Sequence, residues 1–426
     1  MTPQIKQRVE QIQRGEVPDG YKKTKVGVVP NEWEETRFKK IFSRLSRKNK
    51  ENNDNVLTIS AQYGLISQRD FFNKDIASED KSNYFLLHNG EFAYNKSYSN
   101  GYPFGALKRL DMYDKGIVSP LYICFSANEN NECPDFYVHY FEAGMMNREI
   151  QAFAQEGARN HGLLNISVDD FFNSYLLMPT RPEQEEIAEI LSAQDKLIAL
   201  KEKLIEEKKR QKKALMQRLL TGKKRLPGFS GEWKQVKLGD ICNTFSGGTP
   251  NRSHSEYYGG DIPWIKSGEL NHGDIYDTEE TLTDLGLNNS SAKIAPKGTL
   301  LIAMYGATAG ILAFTHIDAA INQAILALIP TTKASTCFIK ESLDVQIETA
   351  THRLTQGGQP NFNASIIESF SISMPCFEEQ EAISNIAKTA DHEIALLNND
   401  LYQEKQKKKA LMQLLLTGIV RVNYNE

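Results

Sequence analysis

The sequence predicts an α+β fold: two β-rich lobes, each followed by a long helix, with the two helices forming an intramolecular antiparallel coiled coil. Three observations carry that reading. "KKALMQRLLTG" from Lys212 to Gly222 returns as "KKALMQLLLTG" from Lys408 to Gly418, with ten of eleven residues unchanged. Two stretches of 39 residues, Glu183 to Thr221 and Glu379 to Thr417, contain neither Pro nor Gly. Before each of them, short alternating or wholly apolar runs are bounded by Gly, Pro and Asn, which is how strands and turns read in sequence.

In chain order, Ile5, Val9 and Ile12 fall at helical spacing, so an N-terminal helix is expected within residues 1–20. Its "QRVEQIQRG" echoes "MQRLLTG", as though the tail of a repeat unit stood at the front. Residues 21–180 form the first lobe, 181–222 the central helix, 223–376 the second lobe and 377–420 the C-terminal helix. The lobes correspond loosely: "NEWEETRFKKIFSRLS" with "GEWKQVKLGDICNTFS", "NVLTISAQYG" with "DIPWIKSGEL", "NGEFAYNKSYSNG" with "KGTLLIAMYGATAG", and "IVSPLYICF" with "INQAILALI". A loop closes each lobe, "QEGARNHGLLN" in the first and "TQGGQPNFN" in the second, and one strand follows before the helix.

The helices are far better kept. "MPTRPEQEEIAEIL" at Met178 and "MPCFEEQEAISNIA" at Met374 open two segments that align without a gap to Gly222 and Gly418, identical at 22 of 45 positions. At about 1.5 Å per residue, each Pro- and Gly-free stretch spans roughly 58 Å as a helix. Thr180 and Glu183 have the spacing of a capping box, while Cys376 takes the capping position in the second copy. Both end at Gly, which adopts the left-handed cap most readily. In the second copy Ile383, Ala387, Ala390, Ile394, Leu397 and Leu401 alternate four and three apart, a heptad seam that resumes at Leu411 and Leu415. The first copy follows with Ile187, Leu191, Ile198, Ile205, Leu215 and Leu219, but puts Gln194, Lys201 and Lys208 in the same register. Packing the two copies together buries both seams.

Composition bounds the function. A 426-residue chain with 40% hydrophobic and 24% charged residues is a globular chain of more than one domain. No apolar run reaches the roughly 20 residues of a membrane span, and the polar N-terminus is no signal peptide. The five scattered cysteines (Cys124, Cys133, Cys242, Cys337, Cys376) form no C-x-x-C pair, which points to a reducing, cytoplasmic setting. Net charge is −4, yet Lys22–Lys50 carries +7 and Lys201–Arg225 carries +8. Such segregation can place a positive field on one face of an acidic chain; a solvated helix face with flexible lysines is the bland alternative.

Catalytic motifs are missing from the sequence. There is no phosphate loop, no G-x-G-x-x-G after a strand, no Asn/Asp-Pro-Pro-aromatic box and no zinc spacing among the eight histidines. "PDFYVHYFEAG" offers an acidic pair without the E-x-K that would complete a nuclease site. "SGGTP" and "GATAG" read as turns.

The loops instead supply groups suited to nucleic acid: Arg, Asn and Gln for base edges, Lys and Ser for phosphates. In the first lobe the candidates are Arg44, Gln62, Tyr63, Arg69, Asn95, Lys96, Ser97, Tyr98, Arg159, Asn160 and His161. In the second they are Thr249, Arg252, His254, Tyr257, Lys266, Ser267, Tyr305, Thr308, Gln356, Gln359 and Asn361. Any one alone reads as an ordinary surface residue; their concentration in matching loops gives the set its weight.

With the duplicated "KKALMQ-LLTG" ends, the "P-EQE-I" openings and the second-lobe series "GEWKQVKLGDI", "SGGTP", "IPWIKSGEL", "GTLLIAMYGATAG" and "INQAILAL" in view, the chain resembles the specificity (S) subunits of type I restriction–modification systems. The first lobe departs from the family wording, carrying "FAYNKSYSNGYPFG" where a "GATxG" turn is usual. The resemblance implies that each lobe is a target recognition domain reading one half of a bipartite, asymmetric double-stranded DNA sequence. It implies that the helices set the gap and dock two modification subunits, which bind S-adenosylmethionine and methylate adenine. Restriction subunits using ATP and Mg would complete the assembly, with no catalytic group, metal or membrane contact from this chain. Physical reasoning agrees: unlike lobes read unlike half-sites, major-groove segments lie about 34–36 Å apart per turn, and two copies of one partner need two copies of one surface. The rival reading is a coiled-coil scaffold whose lobes bind proteins.

Overall fold

The computed structural model describes residues 2–60, 64–72, 81–98, 101–128, 133–156, 164–331, 334–354 and 361–422. The chain divides into two compact bodies, Met1–Glu202 with Asp400–Glu426, and Lys203–Asn399. The division cuts through both long helices, Arg181–Leu220 and Phe377–Leu415. Each body is therefore one lobe, the opening part of the helix that follows it, and the closing part of the other helix.

The two lobes share a topology. In the first, an antiparallel sheet runs in the order Phe42–Leu45, Ile123–Ala127, Phe92–Asn95, Ala106–Arg109. In the second the order is Cys242–Ser246, Ile325–Pro330, Leu300–Ala303, Leu312–Phe314. The first three strands of each sheet lie in segments that the loose internal alignment pairs; the fourth strand of each lies just beyond them. The strand entering each long helix returns to the start of its own lobe: Tyr175–Met178 pairs with Glu34–Arg37, and Ser371–Met374 with Lys234–Lys237. The second lobe adds a sheet in which Trp264 and Ile265 run parallel to Ala320 and Ile321. Among the described residues the first keeps only a parallel bridge, Val56 to Ile117, at the matching place.

Helices inside the lobes depart from the β-rich reading: Pro134–Glu142, Asn147–Phe153 and Thr336–Leu354. "PDFYVHYFEAG" is one of them, and Phe136, Tyr137, Tyr140 and Phe141 are all buried. Its polar residues Asp135, His139 and Glu142 stand four and three apart, but nine residues hold too few turns for that period to be told from a strand. The first lobe's core is aromatic, with Phe38 ringed by Phe42, Phe125 and Phe171 at centroid distances of 4.7, 4.9 and 4.7 Å. The second lobe's is mainly aliphatic, built on Leu300, Ile302, Leu326, Leu328 and Leu343.

The N-terminal helix spans Pro3–Gln13, shorter than the 1–20 expected, with the Thr2 side chain capping it and Pro3 at its first position. Both long helices stop where the chain turns left-handed, at Gly222 (φ 68°) and Gly418 (φ 69°). Along the seam Ile187, Leu191, Ile205, Leu219, Ile383 and Leu415 are buried, and Ile198, Leu215, Ile394, Leu397, Leu401 and Leu411 are half-buried. The polar interruptions each find an acidic partner on the opposite helix. In the first body Gln194 donates to Glu404 (2.7 Å) and Lys201 pairs with Asp400; in the second, Lys208 pairs with Glu393 (2.6 Å). Rising numbers on one helix meet falling numbers on the other, so the pairing is antiparallel.

The "EQ" that opens each helix joins it to its lobe. Glu183 is fully buried, accepting from Trp33 Nε1 (2.8 Å) and from Arg421 Nε and Nη2 (2.7 and 3.0 Å). Glu379 accepts from Trp233 Nε1 (3.1 Å) and from Arg225 Nε and Nη2 (2.8 and 2.7 Å). The next residue repeats too: Gln184 accepts from the Cys133 amide and donates to the Pro179 carbonyl, and Gln380 does the same with Ser335 and Pro375. Capping-box spacing does not reveal this role for Glu183.

Glu183→Ala strands a buried indole N–H and part of a guanidinium, costing about 3 kcal/mol; urea unfolding read by Trp33 fluorescence should show that loss in the first body. His139, also buried there, touches Ser192 Oγ (3.0 Å) and stands 3.7 Å from Asp195. Burial pushes its imidazole below the ordinary value, against the pull of Asp195. The unfolded chain protonates first, so this contribution is complete above about pH 6.5 and is lost as pH falls through the lower folded value. The urea midpoint should fall between pH 7 and 5 more steeply in the wild type than in His139→Gln.

Candidate nucleic-acid interface

In each lobe, the turn that leaves the central sheet meets the segment before the last short helix. In the first, Asn95 ends its strand and its Oδ1 accepts from the Ser97 amide (3.1 Å). The Lys96 carbonyl accepts from the Leu164 amide (3.0 Å), and its ammonium reaches the Ile166 carbonyl (3.5 Å). Burial lowers the Lys96 amine below its ordinary value. The turn at Gly105 closes on the same strand, where a Cβ would meet the Asn95 carbonyl at 2.3 Å. Asn95, Lys96 and Ser97 thus sit on a braced turn from which Tyr98 projects, 62% exposed.

The second lobe repeats the arrangement. Past Leu300–Ala303, the Met304 carbonyl accepts from the Phe362 amide (2.7 Å), which places exposed Asn361 beside Tyr305. The Ser267–His272 turn packs against Gly306–Thr308, so Ser267 belongs to the same surface. Thr308 itself is buried and cannot present its hydroxyl to a ligand as expected; its carbonyl accepts from the Ile311 amide inside the turn.

Next to Ser267 lies a charge cluster. Arg252 forks onto Glu280 (2.6 and 3.3 Å), and Lys266 reaches Glu279 and Glu280, both at 2.9 Å. The guanidinium lies over Tyr258 (4.5 Å) and Trp264 (5.2 Å). Hydrogen bonds from Arg252 and then Lys266 hold the Glu280 carboxyl below its usual range. Thr249 donates to Gln323 (2.5 Å), and His254 pairs with Glu256 (2.9 Å) while stacking on Tyr257 (4.8 Å). "SGGTP" is a packed turn: a Cβ on Gly247 would stand 1.8 Å from the Ile321 carbonyl. The result is a braced surface of balanced donors and acceptors, chemistry that suits base edges better than a row of phosphates. Glu279, Glu280 and Gln323 escaped the sequence reading, because nothing in their spacing announces the cations and the hydroxyl they hold.

Other expectations fall elsewhere. Arg44 is exposed in register with Phe125 and, through it, Phe92, at the opposite end of the strand from Asn95. Arg69 sits on the short helix Gln68–Phe72 and pairs with Asp54 (3.1 Å). Gln62, Tyr63, Arg159, Asn160, His161, Gln356 and Gln359 lie outside the described residues. Much of the basic run Lys201–Arg225 is held in ion pairs. In the second body Lys208, Lys212 and Arg225 pair with Glu393, Asp391 and Glu379 on the opposite helix, and Lys209 and Arg210 pair along their own helix. Among the described residues no group of three or more His, Cys, Asp or Glu could hold a metal ion, and no helix is long and apolar enough to cross a membrane.

Comparison with known proteins agrees with this architecture. Residues 230–404 match the family described as the type I restriction modification DNA specificity domain. The chain is similar to the putative type I restriction enzyme MjaX specificity subunit of Methanocaldococcus jannaschii, 24% identical with 95% of this chain and 97% of that one covered. It is 29% identical to the HindI specificity subunit of Haemophilus influenzae over 172 residues, 38% of this chain and 37% of the relative. Among solved structures, one from work on complex assembly and conformational transition of the type I R-M system superimposes with a TM-score of 0.59 at 18% identity, covering 92% of this chain and 99% of that one. The type I restriction-modification S subunit from M. genitalium gives 0.51 at 16% identity, covering 90% and 96%. The duplicated lobe-and-helix plan is the fold that these two solved structures share with the chain. Residues 230–404 carry the family match, and along nearly its whole length the chain is similar to a specificity subunit of a type I restriction enzyme.

Arg252→Ala and Lys266→Ala should each weaken binding of the assembled complex to its DNA target by about 10-fold, the low end for losing a base contact. Circular dichroism should show both variants folded. Unchanged binding by both, in a fluorescence anisotropy titration at fixed salt, would remove these two residues from the interface.

Proposed function

We propose that this chain is the DNA sequence-recognition subunit of a type I restriction–modification complex and has no catalytic site of its own. Each lobe reads one half of a bipartite, asymmetric double-stranded DNA target. The long helices set the gap between the halves and dock two modification subunits. On this reading those subunits bring S-adenosylmethionine and methylate adenine at N6. Restriction subunits with ATP and Mg cleave unmodified DNA, all in the cytoplasm.

One observation carries the reading most of the way: where the duplication is kept and where it is lost. Identity concentrates in the helix openings and the tips, including the buried Glu–Gln pairs. Difference concentrates in the loops that present Lys96 and Tyr98 in one lobe and Arg252, Lys266 and Tyr305 in the other. A duplicated surface fits two copies of one partner, and two unlike polar surfaces fit two unlike half-sites. A scaffold with protein-binding lobes would not need such polar, braced loops at matching places.

A genome-wide map of N6-methyladenine, with and without this gene in a host expressing the modification subunits, tests the proposal. One asymmetric bipartite motif should lose methylation on deletion. If no motif changes although the partner is expressed, the recognition role falls.

A further inference from the structure

The repeated tips differ in two ways, and both differences mark the same copy. The first lies in sequence. Within "KKALMQRLLTG" and "KKALMQLLLTG" the one change is Arg218 to Leu414; Arg218 is exposed and Leu414 half-buried. The second lies in structure. At the tip carrying Leu414, the N-terminal helix Pro3–Gln13 is tied down: Arg8 Nη1 donates to the Ile419 carbonyl (2.5 Å), and Tyr21 donates from its hydroxyl to the Gly418 carbonyl (2.7 Å). The Arg8 guanidinium also lies over the Tyr21 ring (4.9 Å). Gly222 has Trp233 beside it as Gly418 has Trp33, but the carbonyl that follows the repeat there has no such helix bonded to it among the described residues.

The N-terminal helix buries none of its residues in this chain, and Ile5, Val9 and Ile12 stay half-exposed. Eleven residues fall below the roughly 12–15 at which an isolated helix holds in water, so such a helix depends on packing. Lys6 and Arg14 are exposed on and beside it. They continue the basic character of the tips, where Lys213 and Lys409 are exposed at equivalent places.

We infer that the two docking surfaces are unequal by construction: the N-terminal helix, seated on the Leu414 tip, forms part of the surface for one modification subunit and has no counterpart for the other. The occupant is a modification subunit presenting an acidic face with an apolar centre. It binds the Leu414 tip more tightly because it also covers Ile5, Val9 and Ile12. This rests on the docking reading above.

The test is calorimetry and native mass spectrometry of the full chain with its purified modification subunit. The wild type should bind two copies in two steps separated by at least about 10-fold in Kd. Deleting residues 2–14 should abolish that separation by weakening the tighter step alone. Arg8→Ala, which unties the helix without removing it, and Leu414→Arg should each weaken the same step, while Arg218→Leu should leave it unchanged. Two equal steps in the wild type, unchanged steps after the deletion, or a tighter step after it would each overturn the inference. Absence of any modification-subunit binding by the wild type would overturn the docking reading itself.

Discussion

A carboxylate buried at the start of each long helix is the constraint on which both bodies depend. Glu183 lies where three separated stretches of chain converge: Trp33 near the start of the lobe, the opening of one long helix, and Arg421 just past the end of the other. Glu379 is met in the same way by Trp233 and Arg225. A carboxylate removed from water is tolerated only when paired and hydrogen-bonded. The requirement for those partners fixes which lobe strand, which helix opening and which helix end must meet. The adjoining Gln adds direction, since its amide must satisfy one backbone donor and one carbonyl together.

The same logic orders the helix pair. Apolar seams alone would accept several registers, because Leu, Ile and Ala pack against one another with little discrimination. Gln194 against Glu404 and Lys201 against Asp400 in one body, and Lys208 against Glu393 in the other, oppose slippage. A shifted register would leave charges facing apolar groups. Buried polar residues at coiled-coil seams specify register in this way at some expense of stability. If the helices measure the gap between DNA half-sites, register outweighs stability, and the interrupted seam is the expected solution.

The loops obey a different rule. They are braced from behind by close backbone packing, as at Gly105 and Gly247 where a side chain would collide with a carbonyl. Their polar groups are held in geometry by one another, as Arg252 and Lys266 are by Glu280. Recognition needs preorganised donors and acceptors, because ordering flexible side chains at the moment of binding costs affinity. The scaffold can therefore remain constant while loop chemistry changes from lobe to lobe.

By itself the sequence determined the plan: two lobes, two long helices, their Gly stops and the strands that correspond between lobes. Period, propensity and internal repetition are local properties, and a single chain displays them openly. It also exposed the interruptions at Gln194, Lys201 and Lys208, though not their partners. Tertiary structure alone decided that Lys201, Lys208, Lys212 and Arg225 are spent on pairing the helices, and that Thr308 is buried. It decided too that Arg44 stands level with Phe92, at the opposite end of that strand from Asn95, and that Glu280 governs Arg252. Each is a meeting of residues far apart in the chain. Whether a cation faces water, a carboxylate or a base depends on what the fold brings opposite it, and no local pattern carries that information. The helix Pro134–Glu142 was hidden for a local reason: nine residues, rich in aromatics that also favour strands, show too little of the helical period to be told from one.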